Sequence, residues 1–301
     1  MRTFFECLPC FINQALGSLR NCNATDEQIK DVMHSVLAEL SGMDFNVPPP
    51  VTAQKIYRII SKTPGLGDPY ASKKQQYNRF ARELLAGIQK RTATEQDVFS
   101  SKVILAIAAN IIDFGKNSEL SESDVLRSFE KAVGVSIDSV ALRNLRQELQ
   151  EAESVLFLCD NAGEIVFDRF LIEEMPCHKV ISAVRGAPVI NDATLEDAQA
   201  VGLTEMVKVI QNGSDAPGTI LKDCSPEFNT VFNQADVIIS KGQGNFETLS
   251  DITNKRIFFL FQVKCPVIAR NSGYPVGTFV LKDNQSAEEC TIQTKMEMKN
   301  E

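Results

Sequence analysis

The chain has 301 residues, 44% hydrophobic and 23% charged. This is a globular composition, which excludes a disordered or collagen-like chain. With 39 acidic and 31 basic side chains the net charge is −8, which argues against a general nucleic-acid or anionic-membrane binder but leaves room for a small anion in a locally basic cleft.

At roughly 150 residues per domain, the length fits one large or two ordinary domains. At the N-terminus, Glu6, Cys7 and Cys10 interrupt the first apolar stretch, and Arg2 alone supplies basic charge. That is not a signal peptide. No apolar run reaches the ~18 residues of a membrane span. The expectation is a cytoplasmic protein whose eight scattered Cys are thiols rather than a disulfide framework. Residues 1–150 read as helical. The clearest segment is Thr25 to Leu40, where Ile29, Val32, Met33, Val36, Leu37 and Leu40 form one amphipathic stripe. Thr25 and Gln28 have capping-box spacing, and Gly42 with Pro48–Pro50 ends the segment. Further helices are predicted at 3–20, 52–62, 70–90, 95–114, 122–133 and 138–150. Segment 98–112 is apolar nearly all round, so it should be buried. Asn110 and Asp113 share one face at its end. Either they cap or face water, or they form part of a ligand wall.

After Glu151 the pattern changes to short β-rich runs: 155–158, 179–184, 206–210, 237–239, 257–261 and a weaker one at 278–281. Helix-length stretches lie between most of them. That alternation predicts an α/β domain over 151–301, with a mostly parallel sheet covered on both faces. Ligands of such sheets bind outside the carboxyl ends of the strands. Those ends carry Asp160-Asn161-Ala-Gly-Glu164, Arg185-Gly186 followed by Asn191-Asp192, Asn212-Gly-Ser-Asp215, Lys241-Gly-Gln-Gly-Asn245, and Lys264. Singly, each has an ordinary reading: Asp160 or Asp192 as a helix cap, the Gly-rich stretch as a turn. Jointly, they place both charge signs in one crevice.

His occurs twice and Trp not at all, so a His triad or multi-His zinc site is not expected. Carboxylate and amide oxygens suit a hard cation, Mg²⁺ or Mn²⁺, with Asp160, Asn161 and Asp192 as candidate ligands. Lysines opposite would hold phosphate oxygens. This combination fits phosphoryl transfer.

Asp160-Asn-Ala-Gly-Glu164, Arg185-Gly-Ala-Pro-Val-Ile-Asn-Asp192-Ala-Thr, Lys241-Gly-Gln-Gly-Asn245 and Lys264-Cys-Pro resemble the damage-control phosphatases, and Ala109-Asn110-Ile-Ile-Asp113-Phe-Gly115 matches that family's motif in the helical part, so the resemblance spans nearly the whole chain. That family was long catalogued as a domain of unknown function and includes relatives described as acidic-residue methyltransferases. The resemblance implies a helical N-terminal region packed on a Rossmann-like three-layer α/β/α domain. It implies a divalent metal (Mg²⁺ or Mn²⁺, with Co²⁺ or Ni²⁺ as alternatives) on Asp160, Asn161 and Asp192. It implies hydrolysis of a small phosphorylated metabolite, with Lys241 and Lys264 on the phosphate side. Arg185, Asn110, Asp113 and Glu164 are further candidates for substrate contact, and Asp160 and Asp192 for catalysis. No nucleic-acid or membrane partner is expected, and no oligomeric state follows.

The opening Cys7-Leu-Pro-Cys10 resembles an N-terminal CxxC branch of that family. It is half a zinc site without a second CxxC, so apolar packing, redox chemistry and metal binding all stay open. Two other functions compete. An S-adenosylmethionine-dependent carboxyl methyltransferase fits the element order, but Asp160-Asn-Ala-Gly163 lacks the G-x-G-x-x-G turn. A non-catalytic phosphometabolite-binding protein would use the same crevice. The D-x-D-x-[TV] start of a haloacid-dehalogenase phosphatase is missing, and so is a Walker motif.

Overall fold

The computed structural model describes residues 1–111 and 137–285. Asp113 and the predicted helix 122–133 lie outside them. The first part is helical: α1 (Cys7–Asn21), α2 (Asp26–Ser41), α3 (Pro49–Ser61), α4 (Ala71–Thr92), α5 (Val98–Ala108) and α6 (Ser139–Glu151). The Thr25–Gln28 capping box is formed in both directions. Helix α1 starts later than predicted because Thr3 donates its backbone N–H to Phe45 and Val47 carbonyls instead. Helix α5 stops at Ala108 and tightens into a 3₁₀ turn over Ala109–Ile111.

The second part holds β1 (Val155–Leu158), α7 (Glu164–Ile172), β2 (Val180–Val184), α8 (Leu195–Ala200), β3 (Lys208–Gln211), α9 (Pro226–Gln234), β4 (Val237–Lys241), α10 (Gln243–Leu249), β5 (Arg256–Gln262), α11 (Pro266–Ser272) and β6 (Phe279–Asp283). The sheet order is β3-β2-β1-β4-β5-β6. Strands β1 to β5 are parallel, and β6 is an antiparallel edge. Burial on both faces explains the continuous apolar strands. Val155 and Phe157 pack into one core with α4, α5 and α7, while Leu156 and Leu158 pack into another with α9 to α11. Edge strand β3 instead exposes Lys208 and Gln211, which keeps the edge polar. Helices α1 to α3 form a third core that reaches Val267 of α11. In this order the chain reverses direction of travel between β1 and β4, which opens a crevice at their carboxyl ends.

Candidate active site

Strand β1 delivers Asp160 and Asn161 to that crevice. Strand β2 delivers Arg185 and then a loop ending in Asn191-Asp192. The two loops are tied by an isolated antiparallel bridge between Asn161 and Asp192. Ala162 N–H donates to the Asn191 carbonyl at 2.9 Å and Ala193 N–H to the Asp160 carbonyl at 2.8 Å. Neither aspartate caps a helix. Helix α7 is preceded by Gly163 and α8 by Thr194, which forms a capping box with Asp197. Just before Asp192, Ile190 holds a φ of 45°, an outlying conformation for a β-branched residue. It packs beside Val189, Tyr57 and Tyr70.

Of the sequence-predicted residues, Asp160, Asn161, Asp192, Arg185, Asn110 and Glu164 converge. Arg185, 2% exposed, donates Nε to Asp192 Oδ2 at 2.6 Å and Nη1 to Asn245 Oδ1 at 3.2 Å. Its Nη2 lies 3.6 Å from Asp160 Oδ1, too far for a hydrogen bond. Asn245 in turn donates to the Lys241 carbonyl at 2.8 Å, so it braces the Gly-rich turn. Asn110, within the 3₁₀ turn, donates to Asp160 Oδ2 at 3.2 Å and Glu164 Oε2 at 2.7 Å. Asn161 donates to the same two oxygens at 2.7 and 3.2 Å. The segment closed by α5 therefore points into the crevice. Gly242, with φ of 79°, lets the β4 turn approach Asp160 so closely that a Cβ would overlap the carboxylate.

Lys241, expected to face phosphate, turns inward instead. Its ammonium donates to the Ala106 carbonyl at 3.0 Å, to Glu164 Oε1 at 2.7 Å, and to Asp168 Oδ1. All three N–H donors are thereby used inside the protein. Lys264 is half-buried at the crevice edge, close enough that its charge favours ionised Asp160. Cys7 and Cys10 lie elsewhere, on α1. Both are free thiols, Cys7 buried and Cys10 exposed. Burial raises the Cys7 pKa, against a backbone hydrogen bond from Phe4.

The charge balance is the telling feature. Asp160, Glu164, Asp168 and Asp192 are buried, against the buried cations Arg185 and Lys241. Burial, then the charges of Glu164 and Asp192, push the Asp160 carboxyl well above the ordinary range, although Arg185 and Lys264 oppose this. For Arg185, burial disfavours the charge, but Asp192 and Asp160 outweigh it and raise its pKa. Excess buried negative charge calls for a cation. Among the described residues no three His, Cys, Asp or Glu side chains form a metal cluster. Two carboxylates and an amide are nonetheless the sparse donor set of a Mg²⁺-type site, which keeps waters and takes substrate oxygens. Two residues that meet Asp160 each carry a buried atom without a hydrogen-bond partner among the described residues, Asn110 Oδ1 and Arg185 Nη2. One is an acceptor and the other a donor that a ligand can use.

Comparison with known proteins settles the family. Residues 3–280 match the damage-control phosphatase ARMT1-like domain. The chain belongs to that family. It is 36% identical to the damage-control phosphatase of Pyrococcus horikoshii, over 95% of this chain and 99% of the relative. It is 34% identical to a damage-control phosphatase of Archaeoglobus fulgidus, over 76% and 81%. The crystal structure of a DUF89 family protein from P. horikoshii superposes with a TM-score of 0.86 at 36% identity, covering 94% of this chain and 99% of that one. Phosphatases of this family act on phosphorylated substrates, and the expected α/β fold with its helical N-terminal region is the fold observed. No helix among the described residues is long and apolar enough to cross a membrane.

Sequence reasoning missed Asp168, Asn78, Lys74 and Asp197. A signal existed for Asp168: it is an acid inside the apolar run of α7, four residues after Glu164, hence on the same face. None existed for Lys74 and Asn78, because polar residues on an amphipathic helix read as its wet side.

Proposed function

We propose that this chain is a divalent-metal-dependent phosphatase that hydrolyses small phosphomonoesters, such as sugar phosphates or damaged phosphometabolites. Asp160, Asn161 and Asp192 would hold the metal, Mg²⁺ or Mn²⁺, with Co²⁺ or Ni²⁺ able to substitute. The observation that carries this reading is the surplus of buried carboxylate at the β1–β4 crevice, in a family whose curated relatives are named phosphatases. A bound Mg²⁺ or Mn²⁺ supplies Lewis-acid polarisation of a phosphoryl oxygen and neutralises developing charge.

The side chains divide the remaining work. Arg185 fixes Asp192 through Nε and keeps Nη2 for a phosphoryl oxygen. Lys264 supplies positive charge at the crevice edge. Asn110 and Asn161 orient the Asp160 carboxylate, while Glu164 receives both amides and the Lys241 ammonium. Lys241 neutralises Glu164 and Asp168 rather than the substrate. Hydrolysis breaks the phosphorus–oxygen ester bond, and the oxygen of water replaces the leaving alcohol.

The test is phosphate release from p-nitrophenyl phosphate and a panel of sugar phosphates. It compares chelator-treated protein with protein given Mg²⁺, Mn²⁺, Co²⁺ or Ni²⁺. Release that depends on added metal is expected. A folded protein that stabilises on adding a phosphometabolite yet releases no phosphate with any metal would instead be the binding protein.

A further inference from the structure

The bridge between the Asp160 and Asp192 loops is short. It joins one residue of each, and within the α/β part Arg185 adds its charge to both, paired with Asp192 and 3.6 Å from Asp160. A further tie comes from outside the α/β part. Asn78, on α4 and 5% exposed, accepts the Gly163 backbone N–H on Oδ1 at 2.7 Å and donates Nδ2 to Asp197 Oδ1 at 2.9 Å. Gly163 ends the Asp160-Asn161 arm, at φ of 79°, where glycine has little conformational preference of its own. Asp197 anchors the Asp192 arm: its Oδ2 accepts the Thr194 backbone N–H at 2.9 Å and the Thr194 hydroxyl at 2.8 Å. One turn earlier on α4, Lys74 neutralises Asp197 at 3.0 Å and reaches the Thr194 hydroxyl at 3.3 Å.

We propose that Asn78 is a positioning residue that sets the spacing of the two metal-binding arms. It closes a ring: Asn161–Asp192 bridge at one end, Asn78 at the other. It touches neither metal nor substrate, and the inference rests on the metal assignment made above. The helical part thus completes the site as well as covering the sheet. Groups that hydrogen-bond metal ligands directly commonly change metal affinity by about 10- to 100-fold when mutated, and Asn78, which acts through Gly163 and Asp197, belongs at the lower end. A cavity of about 490 Å³ lies beside Asn78, lined also by Lys74 and Asp197. Truncating Asn78 enlarges this space rather than opening a new void in the core.

The experiment is calorimetric titration of Mn²⁺ into metal-free protein, for wild type, Asp192→Ala, Asn78→Ala and Leu84→Ala. Leu84 is a buried core residue of the same helix and controls for general loosening. The expected result is binding to wild type, none to Asp192→Ala, about 10-fold weaker binding to Asn78→Ala, and wild-type affinity in Leu84→Ala despite a lower Tm. Wild-type affinity in Asn78→Ala, or equal weakening in Leu84→Ala, overturns the proposal while leaving the metal site standing. No binding to wild type overturns the metal assignment and this proposal with it. If Asn78→Ala does not fold, the reciprocal exchange decides. Asn78→Asp and Asp197→Asn should each weaken Mn²⁺ binding, and the double variant should restore it by reversing donor and acceptor. A double variant no better than the singles contradicts the ring.

Discussion

Gly242 and Lys241 are neighbours with different jobs, and substitution separates them. At Gly242 the backbone sits at φ 79° and ψ 163°, a region essentially reserved for glycine, and an added Cβ would overlap the Asp160 carboxylate. Gly242→Ala should therefore cost about 1–3 kcal/mol of stability and displace the proposed metal ligand. Gly273 has φ of 85° with open space where a Cβ would stand, so Gly273→Ala should carry a strain cost of about 1–2 kcal/mol without changing turnover. Equal phosphate release by the two variants would contradict the role given to the Gly242 turn. Lys241→Met leaves Glu164 and Asp168 buried without their cation, a change that typically costs about 3–5 kcal/mol. Denaturant unfolding would read this directly. The residues that meet at the crevice were legible in the sequence because acids and amides at successive strand ends are unusual. The inward turn of Lys241 was not, since its partners lie on α7 and α5, and strand-end position alone does not say which way a long side chain points.

At the level of elements, α7 carries a pH signature. Burial raises the Asp168 carboxyl to about 7; Lys241 opposes the shift and Glu164 adds to it, since two carboxylates share one ammonium. A folded-state pKa above the ordinary 3.8 means that the folded form binds more protons than the unfolded form between these values. Stability of the metal-free protein should thus fall as pH rises from about 4 to about 7. The shift of Asp97 runs the other way: burial resists it, but the Ser100 N–H and Arg146 hold its carboxyl low. Asp236 is held low by Ser154. Both deliver their stabilising share as pH rises to their ordinary value, below this window. Thermal melts from pH 4 to 8 in chelator should show the decline, and Asp168→Asn should make it shallower, with raised Asp160 supplying the remainder. A melt temperature that climbs across this window would contradict the assignment. Strand positions were readable from the sequence to within two residues at every end, because strands buried on both faces leave an unbroken apolar record. Helix starts were less so: α1 is delayed by a pairing between Thr3 and residues some forty positions away, which no local pattern encodes.

Across the whole molecule, the helical part and the α/β part share a core. Ala81, Leu84 and Val103 pack in the same cluster as Phe157, Ile165 and Phe258. Asn78 and Asn110 reach from the helical part to Gly163 and Asp160 of the crevice loop. A fragment of residues 151–301 would expose that core face, so it should fail to fold cooperatively, and the full chain should unfold in a single calorimetric transition. A fragment with a sharp independent melt would contradict the shared core. The change from helices to alternating strands and helices after residue 151 was visible in the sequence, but shared packing leaves no trace in composition. Whether Asp160, Asn161 and Asp192 hold a metal on which phosphate release depends is decided by substituting each with alanine. Phosphate release is measured at saturating metal, with folding verified by thermal melting. Lewis-acid stabilisation is worth several kcal/mol, and each 1.36 kcal/mol is tenfold in rate. Folded variants should therefore lose at least ~100-fold in release. A folded Asp192→Ala protein that releases phosphate at the wild-type rate would contradict the account.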